Sequence, residues 1–538
     1  MNKRYNGVIF HITSLPGPYG IGTFSDEAEE VAELLHKGDV SYWQVLPFTP
    51  PSAGDSPYTS YSAFAGCTWF IDPRRTHLLT KEECEQFRYE GPPYEVDYDF
   101  VRQNSEAYLR LAFSRLTPDQ LEEVRSFSAR EPWLPEYAMF MAIREHYDDL
   151  PWYEWPDDKL RMHDREALLA FAEEHREELD FTYFCQWEFR RQWIQLKRHI
   201  NGLGIGIIGD VPMYVAHDSS DAWANPKLYQ FDEENNPLAV AGVPPDYFSE
   251  DGQLWGNPLY DWDYHKKTEY EWWIERLKQC FFLYDAVRID HFRAFDSYWA
   301  VPAGSETAKE GRWEQGPGMD LIEAINTAIP DAHIIAEDLG IVTEGVVELL
   351  DQSGYPGMMV MQFALGSFEP GQRMPHRSHE NQAIYTGTHD NNTVLGWASE
   401  DEYFHRQQML DYIGFPENED WTVGGLHAPL NRAFIRQTWA APAYLAVTTI
   451  QDLLGYGADT RMNIPGTKEG NWTFRVPLDA LQRSDWDWLA YMNLLFDRAY
   501  PYDEMDAIEL SIHADEAVDP DTLPEEAAMA SEEGSGED

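Results

Sequence analysis

The sequence predicts an α/β protein built on a (β/α)8 barrel, also called a TIM barrel, that carries large insertions. Short apolar segments recur along the chain, helical patterns lie between several of them, and this alternation favours a parallel sheet. The chain has 538 residues, about twice the ~250 typical of the fold, so insertions must supply the difference. The eight predicted strands are Val8–Phe10, Tyr42–Phe48, Ile205–Asp210, Ala286–Asp290, His333–Glu337, Met358–Phe363, Ala383–Thr388 and Leu445–Ile450.

Helices are predicted from apolar residues at helical spacing. After the first strand, Ser25 can cap a helix in which Val31 and Leu35 share one face, and Gly38 ends it. A second helical pattern covers Trp273–Tyr284 and leads directly into the fourth strand. Both segments are typical of the helices that cover the outside of a parallel barrel.

Two insertions enlarge the predicted barrel. The first, at about 75–200, lies between strands two and three and is mainly helical. The second, at about 215–266, follows strand three and is rich in Pro, Gly, Asn and aromatic residues, which is typical of loops. We expect no separate C-terminal β-domain. Residues 1–510 are therefore predicted to form one barrel domain, and residues 511–538 a disordered acidic tail.

The composition is strongly acidic, with 94 Asp and Glu against 40 Lys and Arg and a net charge of −54. This charge argues against nucleic acid or an anionic membrane as the principal partner, whereas a neutral substrate meets no such repulsion. Neither a secretory signal nor an apolar stretch of membrane-spanning length is present, so we expect a cytoplasmic protein. The four cysteines are widely separated and predict buried thiols rather than disulfides or a zinc site.

Acidic residues mark the carboxyl ends of four predicted strands. Asp210, Asp290, Glu337 and Asp390 lie at or just after strands three, four, five and seven. In a parallel barrel these ends converge on one face, where active sites are built. A single acid there often only caps the following helix, but four of them predict a shared site.

Two of these acids have opposite surroundings along their strands. Strand alternation places Arg288 and Asp290 inward on one face, where the guanidinium would keep Asp290 ionised, as a nucleophile requires. A purely structural Arg–Asp pair inside a barrel is the alternative interpretation. Glu337 shares the inward direction with the apolar Ile335, which favours the protonated carboxyl that a general acid requires.

This pairing of carboxyls predicts chemistry on a sugar. Cleavage of a glycosidic bond uses one carboxylate to attack the anomeric carbon and a second carboxyl to protonate the leaving oxygen. Asp390 would then hold sugar hydroxyls in the distorted ring of the transition state, with His389 donating beside it.

Nine short blocks carry a further signal, and they run in order from near the start to about residue 475. The blocks are Thr13–Gly22, Asp55–Tyr58, Gly209–Pro212, Val243–Phe248, Leu254–Pro258, Arg288–Phe292, Ala336–Gly340, Gly387–Asn391 and Arg461–Thr467. Together they resemble the blocks of the amylomaltase, or 4-α-glucanotransferase, family of disproportionating enzymes. Cys67–Thr68, Ala294 and Phe474 depart from the family pattern and leave the preferred chain length open.

The resemblance implies roles for individual residues. It places the nucleophile at Asp290, the acid/base at Glu337 and the stabiliser of the transition state at Asp390, in agreement with the roles argued from the strands. The residues that it implies for substrate binding are Tyr58, Asp210, Arg288, His291 and His389 around the donor sugar, Asp246, Tyr247, Phe248, Trp255 and Asn257 on a loop that guides the glucan, and Asn463 and Pro465.

The implied reaction moves a segment of an α-1,4-glucan to the 4-hydroxyl of an acceptor glucose or glucan, with retention, through a covalent glycosyl-Asp290 intermediate. Its partners would be maltooligosaccharides and α-1,4-glucans, and it requires no metal ion or organic cofactor. An amylase-like hydrolase remains an alternative. So do a non-catalytic glucan-binding protein and a metal-dependent barrel hydrolase with ligands among His291, Asp290, Asp338, His389 and Asp390.

The acidity leads to a prediction about salt. Ten carboxylates lie in residues 515–538, yet the remainder of the chain still carries a net charge of −44. We interpret this as a salt-adapted surface, and an ordinary acidic bacterial enzyme is the alternative. Because screening relieves repulsion between like charges, the melting temperature should rise by several degrees between low and molar KCl. A melting temperature that does not rise over this range would rule out salt adaptation.

Overall fold

Eight parallel strands close into a barrel, as the sequence predicts. The computed structural model describes residues 3–52, 54–245, 250–366, 373–400, 403–467 and 469–502, and the predicted acidic tail lies outside these ranges. In the described residues the strands are β1 (Tyr5–Ile9), β2 (Tyr42–Gln44), β3 (Gly206–Val211), β4 (Ala239–Val243), β5 (Gln253–Pro258), β6 (Ala286–Ile289), β7 (Ser297–Pro302), β8 (Arg312–Gln315), β9 (Ile334–Ala336), β10 (Gly357–Val360), β11 (Gln382–Tyr385) and β12 (Leu445–Thr449). The barrel order is β1, β2, β3, β6, β9, β10, β11, β12, and β12 pairs back with β1.

The alternation of side chains separates the inside of the barrel from the outside. Ala286 of β6 and Ile335 of β9 join an interior apolar cluster, whereas Val287 and Ile289 pack outward in the larger core shared with the helices. Arg288 therefore points inward, as predicted. The inner cluster draws on most of the barrel strands and consists of Ile9, Tyr42, Ile208, Ala286, Ile335, Met358, Val360, Ala383, Tyr385, Leu445, Val447 and Tyr502.

Helices follow or precede the barrel strands and cover the outside of the sheet. The predicted cap is present, because Ser25 Oγ accepts a hydrogen bond from Ala28 N at 3.3 Å. The helices of the described residues are α1 (Asp26–Lys37), α2 (Lys81–Gln86), α3 (Tyr98–Phe113), α4 (Pro118–Arg130), α5 (Leu134–His146), α6 (Asp158–Arg161), α7 (Arg165–Glu174), α8 (Arg176–Gly202), α9 (Ser220–Ala224), α10 (Trp262–Lys267), α11 (Glu271–Leu283), α12 (Met319–Ala328), α13 (Glu344–Ser353), α14 (Met361–Leu365), α15 (Val394–Glu400), α16 (Tyr403–Tyr412), α17 (Pro429–Ala440), α18 (Ile450–Leu454), α19 (Leu478–Gln482) and α20 (Trp486–Leu495). Short 3-10 helices cover Ile12–Ser14, Thr68–Phe70, Pro73–Thr76, Trp152–Glu154, Pro226–Leu228, Phe292–Phe295, Pro375–Arg377 and Ala458–Thr460.

The insertion between β2 and β3 is helical, as predicted, and contains α2 to α8. The long helix α8 packs against α3, α4 and α5 and also reaches α1 of the barrel, so it ties the insertion to the barrel wall. All four cysteines are buried free thiols. No helix within the described ranges is long and apolar enough to cross a membrane.

The segment after β3 holds more regular structure than its loop-rich composition predicts. Strands β4 and β5 pair antiparallel, and with β7 and β8 they form a second sheet in the order β5, β4, β7, β8. This sheet joins parts of the chain on either side of β6, so it stands beside the carboxyl end of that strand. After β12 the described chain continues in α18, α19 and α20, and no further strand follows up to residue 502.

One buried arginine links the first and last barrel strands, β1 and β12, at their amino ends. The fully buried Arg498 guanidinium donates to the carbonyl oxygens of Tyr5 (2.8 Å), Tyr444 (3.3 Å) and Ala443 (2.9 Å). It also donates to the carbonyl oxygens of Trp439 (3.0 Å) and Ala441 (2.9 Å) at the end of α17. Arg4 also donates to the carbonyl oxygens of Trp439 and Ala441, and Tyr5 N donates to that of Tyr444. Arg498 therefore adds a second hydrogen bond at these three groups and helps to satisfy the buried backbone at this end of the barrel.

We predict that Arg498→Met strongly destabilises the fold. The substitution removes five hydrogen bonds made by a fully buried guanidinium group, and a cost of about 3 kcal/mol in the free energy of unfolding is expected. Thermal and urea unfolding measure the change, with Arg483→Met as the matched control because the Arg483 side chain is exposed. Equal stability of the two variants would show that the Arg498 contacts do not hold the barrel closed.

Candidate active site

The predicted acids converge at the carboxyl end of the barrel. In the β3–β6 pair Asp210 stands opposite Arg288, and in the β6–β9 pair Ile289 stands opposite Ala336. Asp290 and Glu337 follow directly, so they occupy the next positions of neighbouring strands. The backbone pairing continues there, because Glu337 N donates to Ile289 O at 3.1 Å. Adjacent strands lie about 4.8 Å apart, which brings the two carboxyl groups to one place.

Arg288 joins two of the acids through its guanidinium group. Its Nη1 donates to both carboxylate oxygens of Asp210, at 2.8 and 2.7 Å, and its Nη2 donates to Asp290 Oδ1 at 2.8 Å. Burial alone would lower the pKa of Arg288, but the charges of Asp210 and Asp290 raise it well above its usual value. The Asp210 side chain is 0% exposed and that of Asp290 is 29% exposed, so of these two acids only Asp290 presents its carboxylate to the cleft.

Glu337 lies in a drier environment than Asp290. Its two oxygens accept hydrogen bonds from His291 N (2.8 Å) and Leu339 N (2.7 Å), both of which favour the ionised carboxylate. Burial, reinforced by the negative charge of Asp290, outweighs these bonds and raises the pKa of Glu337 to about 7. Near neutral pH this carboxyl group can therefore both give and take a proton.

His291 is placed by an unusual backbone conformation. Its φ of 51° lies in the left-handed region, which costs a residue with a Cβ about 1 kcal/mol or more. This conformation accompanies the bond from His291 N to Glu337, so the turn links the chain after Asp290 to the second acid. Burial lowers the pKa of His291 to about 4, which leaves its ring neutral at pH 7.

Asp390 is held by the loop that contains the last predicted block. Asn463 Nδ2 donates to Asp390 Oδ1 at 2.6 Å, and Arg461 Nη2 donates to the Asp390 carbonyl oxygen at 2.7 Å. His389 Nε2 lies 3.4 Å from Asp390 Oδ2. The Asp390 side chain is 47% exposed, so its carboxylate faces the open cleft. Pro465 is exposed on the same loop as Asn463.

Tyr58 connects the buried acid to the opposite side of the site. Its hydroxyl group donates to Asp210 Oδ2 at 2.7 Å, and its ring stacks on His389 with centroids 4.8 Å apart. Trp472 packs against both rings, at 5.8 Å from Tyr58 and 5.9 Å from His389. Tyr58, Asp210 and His389 therefore form one wall, and Trp472 supports it.

Two predicted binding residues lie on β5. The partly exposed Trp255 places its ring 4.9 Å from that of His291 at 77°. Asn257 Nδ2 donates to Val215 O at 2.8 Å, so this amide anchors the loop after β3. The other three residues predicted for this region, Asp246, Tyr247 and Phe248, lie outside the described residues.

Several contributors to the site were not predicted from the sequence. Trp472 lies outside every block named from the sequence, whereas Leu339 and Arg461 each belong to one and could have been included. A cleft opens beside His389 and is lined by residues from the ends of β1, β11 and β12. His11 in this lining accepts a hydrogen bond from Leu46 N at 3.1 Å, and burial lowers its pKa to about 3.

Asp338, one of the five residues considered as metal ligands, faces a different part of the barrel from the other four. Asp338 Oδ1 accepts from Met358 N at 2.7 Å and Oδ2 lies 3.3 Å from Arg373 Nη1, so this carboxylate belongs to the β10 side of the barrel. Within the part of the chain that the structure describes, no group of three or more His, Cys, Asp or Glu side chains is arranged to hold a metal ion.

Comparison with known proteins agrees with this architecture. Residues 10–480 match the glycoside hydrolase family described as 4-alpha-glucanotransferase. The 4-alpha-glucanotransferase of Streptococcus pneumoniae serotype 4 is 43% identical over 489 residues, which cover 89% of this chain and 95% of that protein. The Thermus thermophilus 4-alpha-glucanotransferase is 41% identical over 488 residues, covering 88% and 95%.

A solved structure gives the same result in three dimensions. The amylomaltase of Streptococcus agalactiae in complex with acarbose matches with a TM-score of 0.88 and 36% identity, covering 92% of this chain and 100% of that one. The match includes the barrel and its insertions, since so little of either chain is left out. The chain described here therefore belongs to the 4-alpha-glucanotransferase family.

Proposed function

We propose that the protein transfers a segment of an α-1,4-glucan to the 4-hydroxyl group of an acceptor glucose or glucan. The observation that carries this proposal is the pair Asp290 and Glu337, which occupy neighbouring strand ends in opposite environments. Membership of the 4-alpha-glucanotransferase family supports α-1,4-glucans and maltooligosaccharides as the substrates.

In the first half-reaction Asp290 attacks the anomeric carbon while Glu337 donates its proton to the glycosidic oxygen. The bond between that carbon and oxygen breaks, an ester bond to Asp290 forms, and the leaving glucan departs with a free 4-hydroxyl group. Arg288 binds Asp290 Oδ1, so we assign the attack to Oδ2. The guanidinium pairs with the carboxylate of the nucleophile and fixes its orientation.

In the second half-reaction the ionised Glu337 takes the proton from the 4-hydroxyl group of an incoming glucan, whose oxygen displaces Asp290. Two displacements at the same carbon give net retention. A carboxyl with a pKa of about 7 suits both directions of proton transfer. No metal ion or organic cofactor enters either step.

Asp390 is proposed to stabilise the transition states of both half-reactions. Asn463 and His389 hold its carboxylate facing the cleft, where it can accept hydrogen bonds from sugar hydroxyl groups and balance positive charge on the ring. Tyr58 and the buried Asp210–Arg288 pair form the wall behind the donor sugar, and Trp255 offers an aromatic surface beside His291.

The products from maltotriose distinguish transfer from hydrolysis. We predict a ladder of longer oligosaccharides together with glucose, and a loss of at least about 10⁴-fold in turnover for Asp290→Asn, which should still bind maltotriose. Asp411→Asn, an exposed acid on α16, is the control and should retain full activity. Release of reducing ends without elongation would instead identify a hydrolase, and undiminished turnover by Asp290→Asn would exclude Asp290 as the nucleophile.

A substrate with a better leaving group tests the role of Glu337. With maltotriose, kcat/KM should fall as pH rises above about 7, because Glu337 loses the proton that it must donate. Fluoride departs without a proton, so formation of the glycosyl-enzyme from α-maltosyl fluoride should show no such fall. We predict that Glu337→Gln loses about 10²- to 10⁴-fold with maltotriose but far less in this step with the fluoride. Equal losses on both substrates would contradict the assignment.

A further inference from the structure

Trp313 presents an indole ring at the edge of the second sheet. It lies on β8, the outermost strand of the order β5, β4, β7, β8, and the residue is 42% exposed. A flat apolar face of this size at the surface suits the apolar face of a glucose ring. Whether it can bind one depends on how firmly the indole is held and on where it lies relative to the acids.

The neighbouring strand supports the indole from one side. Trp299 on β7 is the direct partner of Trp313 in the sheet, and their rings meet at 5.2 Å and 69°. Trp299 is itself fixed, because its Nε1 donates to Ala308 O at 2.8 Å. A Cβ at Gly311 would lie 2.2 Å from that same nitrogen, so the turn before β8 packs closely on Trp299 and leaves Trp313 as the exposed ring.

A buried arginine supports the same ring from the side of the active site. The Arg293 guanidinium carbon lies 4.1 Å from the centre of the Trp313 ring, close enough for a cation–π contact. Arg293 is 4% exposed, and it donates to Ile341 O at 2.9 Å and to Ser297 Oγ at 3.1 Å. The indole is therefore held in one orientation before any ligand arrives, which lowers the entropy cost of binding.

These contacts also place Trp313 next to the acid/base side of the cleft. Arg293 follows Asp290 by three residues, and the carbonyl oxygen that it binds follows Glu337 by four residues. Ile341 is partly exposed at this point and extends the apolar surface. In the proposed reaction the leaving glucan and the acceptor glucan both occupy the side of the scissile bond on which Glu337 acts.

We propose that Trp313, backed by Arg293 and Trp299, forms a stacking platform for a glucose unit of the acceptor or leaving glucan that lies beyond the units bound next to Glu337. The platform would give the enzyme a preference for longer acceptors, since a short acceptor ends before reaching it. This inference rests on the proposed function and adds to it a determinant of acceptor length.

The test compares acceptors of different length with α-maltosyl fluoride as the common donor. For Trp313→Leu, the KM for maltoheptaose as acceptor should rise about tenfold with little change in kcat, while the kinetics with glucose as acceptor stay unchanged. Trp313→Phe keeps a flat ring and should stay within about twofold of the wild type. Tyr491→Leu is the matched control, because Tyr491 is a 57% exposed aromatic residue on α20.

Two other patterns would overturn the inference. Equal loss with glucose and maltoheptaose would show a structural role for Trp313, and unchanged KM for maltoheptaose would show that no sugar stacks there. Binding to the platform can be measured without turnover in the Asp290→Asn background. There, Trp313→Leu should raise the Kd for maltoheptaose about tenfold and leave the Kd for maltose unchanged. Absence of elongation by the wild-type enzyme would reject the proposed function, and the binding comparison would still decide the platform.

Discussion

The site depends on one buried cation shared between two carboxylates. Arg288 satisfies Asp210 with one nitrogen and Asp290 with another, and Tyr58 adds a hydrogen bond to Asp210. A charge removed from water is tolerated only when it is paired and hydrogen-bonded, so each member of this network requires the others. The register between β3 and β6, which sets Asp210 opposite Arg288, is therefore as much a part of the active site as the side chains themselves.

The same barrel end produces two acids with different properties. Asp290 is bound directly by the guanidinium and remains partly exposed, whereas Glu337 is buried and accepts two backbone hydrogen bonds. Burial and the neighbouring negative charge raise the pKa of Glu337 to about 7 in spite of those bonds. The negative charge of Asp290 thus acts twice in the proposed reaction, because Asp290 serves as the nucleophile and also raises the pKa of Glu337 beside it.

Much of this arrangement is predictable from the sequence because it depends on patterns within short segments of the chain. Each barrel strand is a short apolar run, and strand alternation alone puts Arg288 inward and Val287 outward. The four acids stand at strand ends, which a parallel barrel brings together whatever the insertions contain. The motif blocks then assign Asn463 to the site, although its bond to Asp390 spans more than seventy residues.

The features that escaped prediction depend on long-range pairing. Strands β4, β5, β7 and β8 are interrupted along the chain by β6, and β4 and β5 lie in a segment whose Pro and Gly content is typical of loops. Trp472 packs on Tyr58 from more than four hundred residues away, and no local pattern reveals it. The proposed platform at Trp313 is not evident in the sequence either, because its contacts with Trp299 and Arg293 exist only once β7 and β8 pair in the second sheet.

Direct detection of the glycosyl-enzyme tests the central claim, which is that the carboxylate held by Arg288 is the nucleophile. Glu337→Gln incubated with α-maltosyl fluoride should form the intermediate quickly and release it slowly, because the base for the second half-reaction is missing. Digestion and mass spectrometry should then find a maltosyl group on the peptide that contains Asp290, attached to Asp290. Consumption of the fluoride with the label on another residue, or with no labelled peptide at all, would contradict this account.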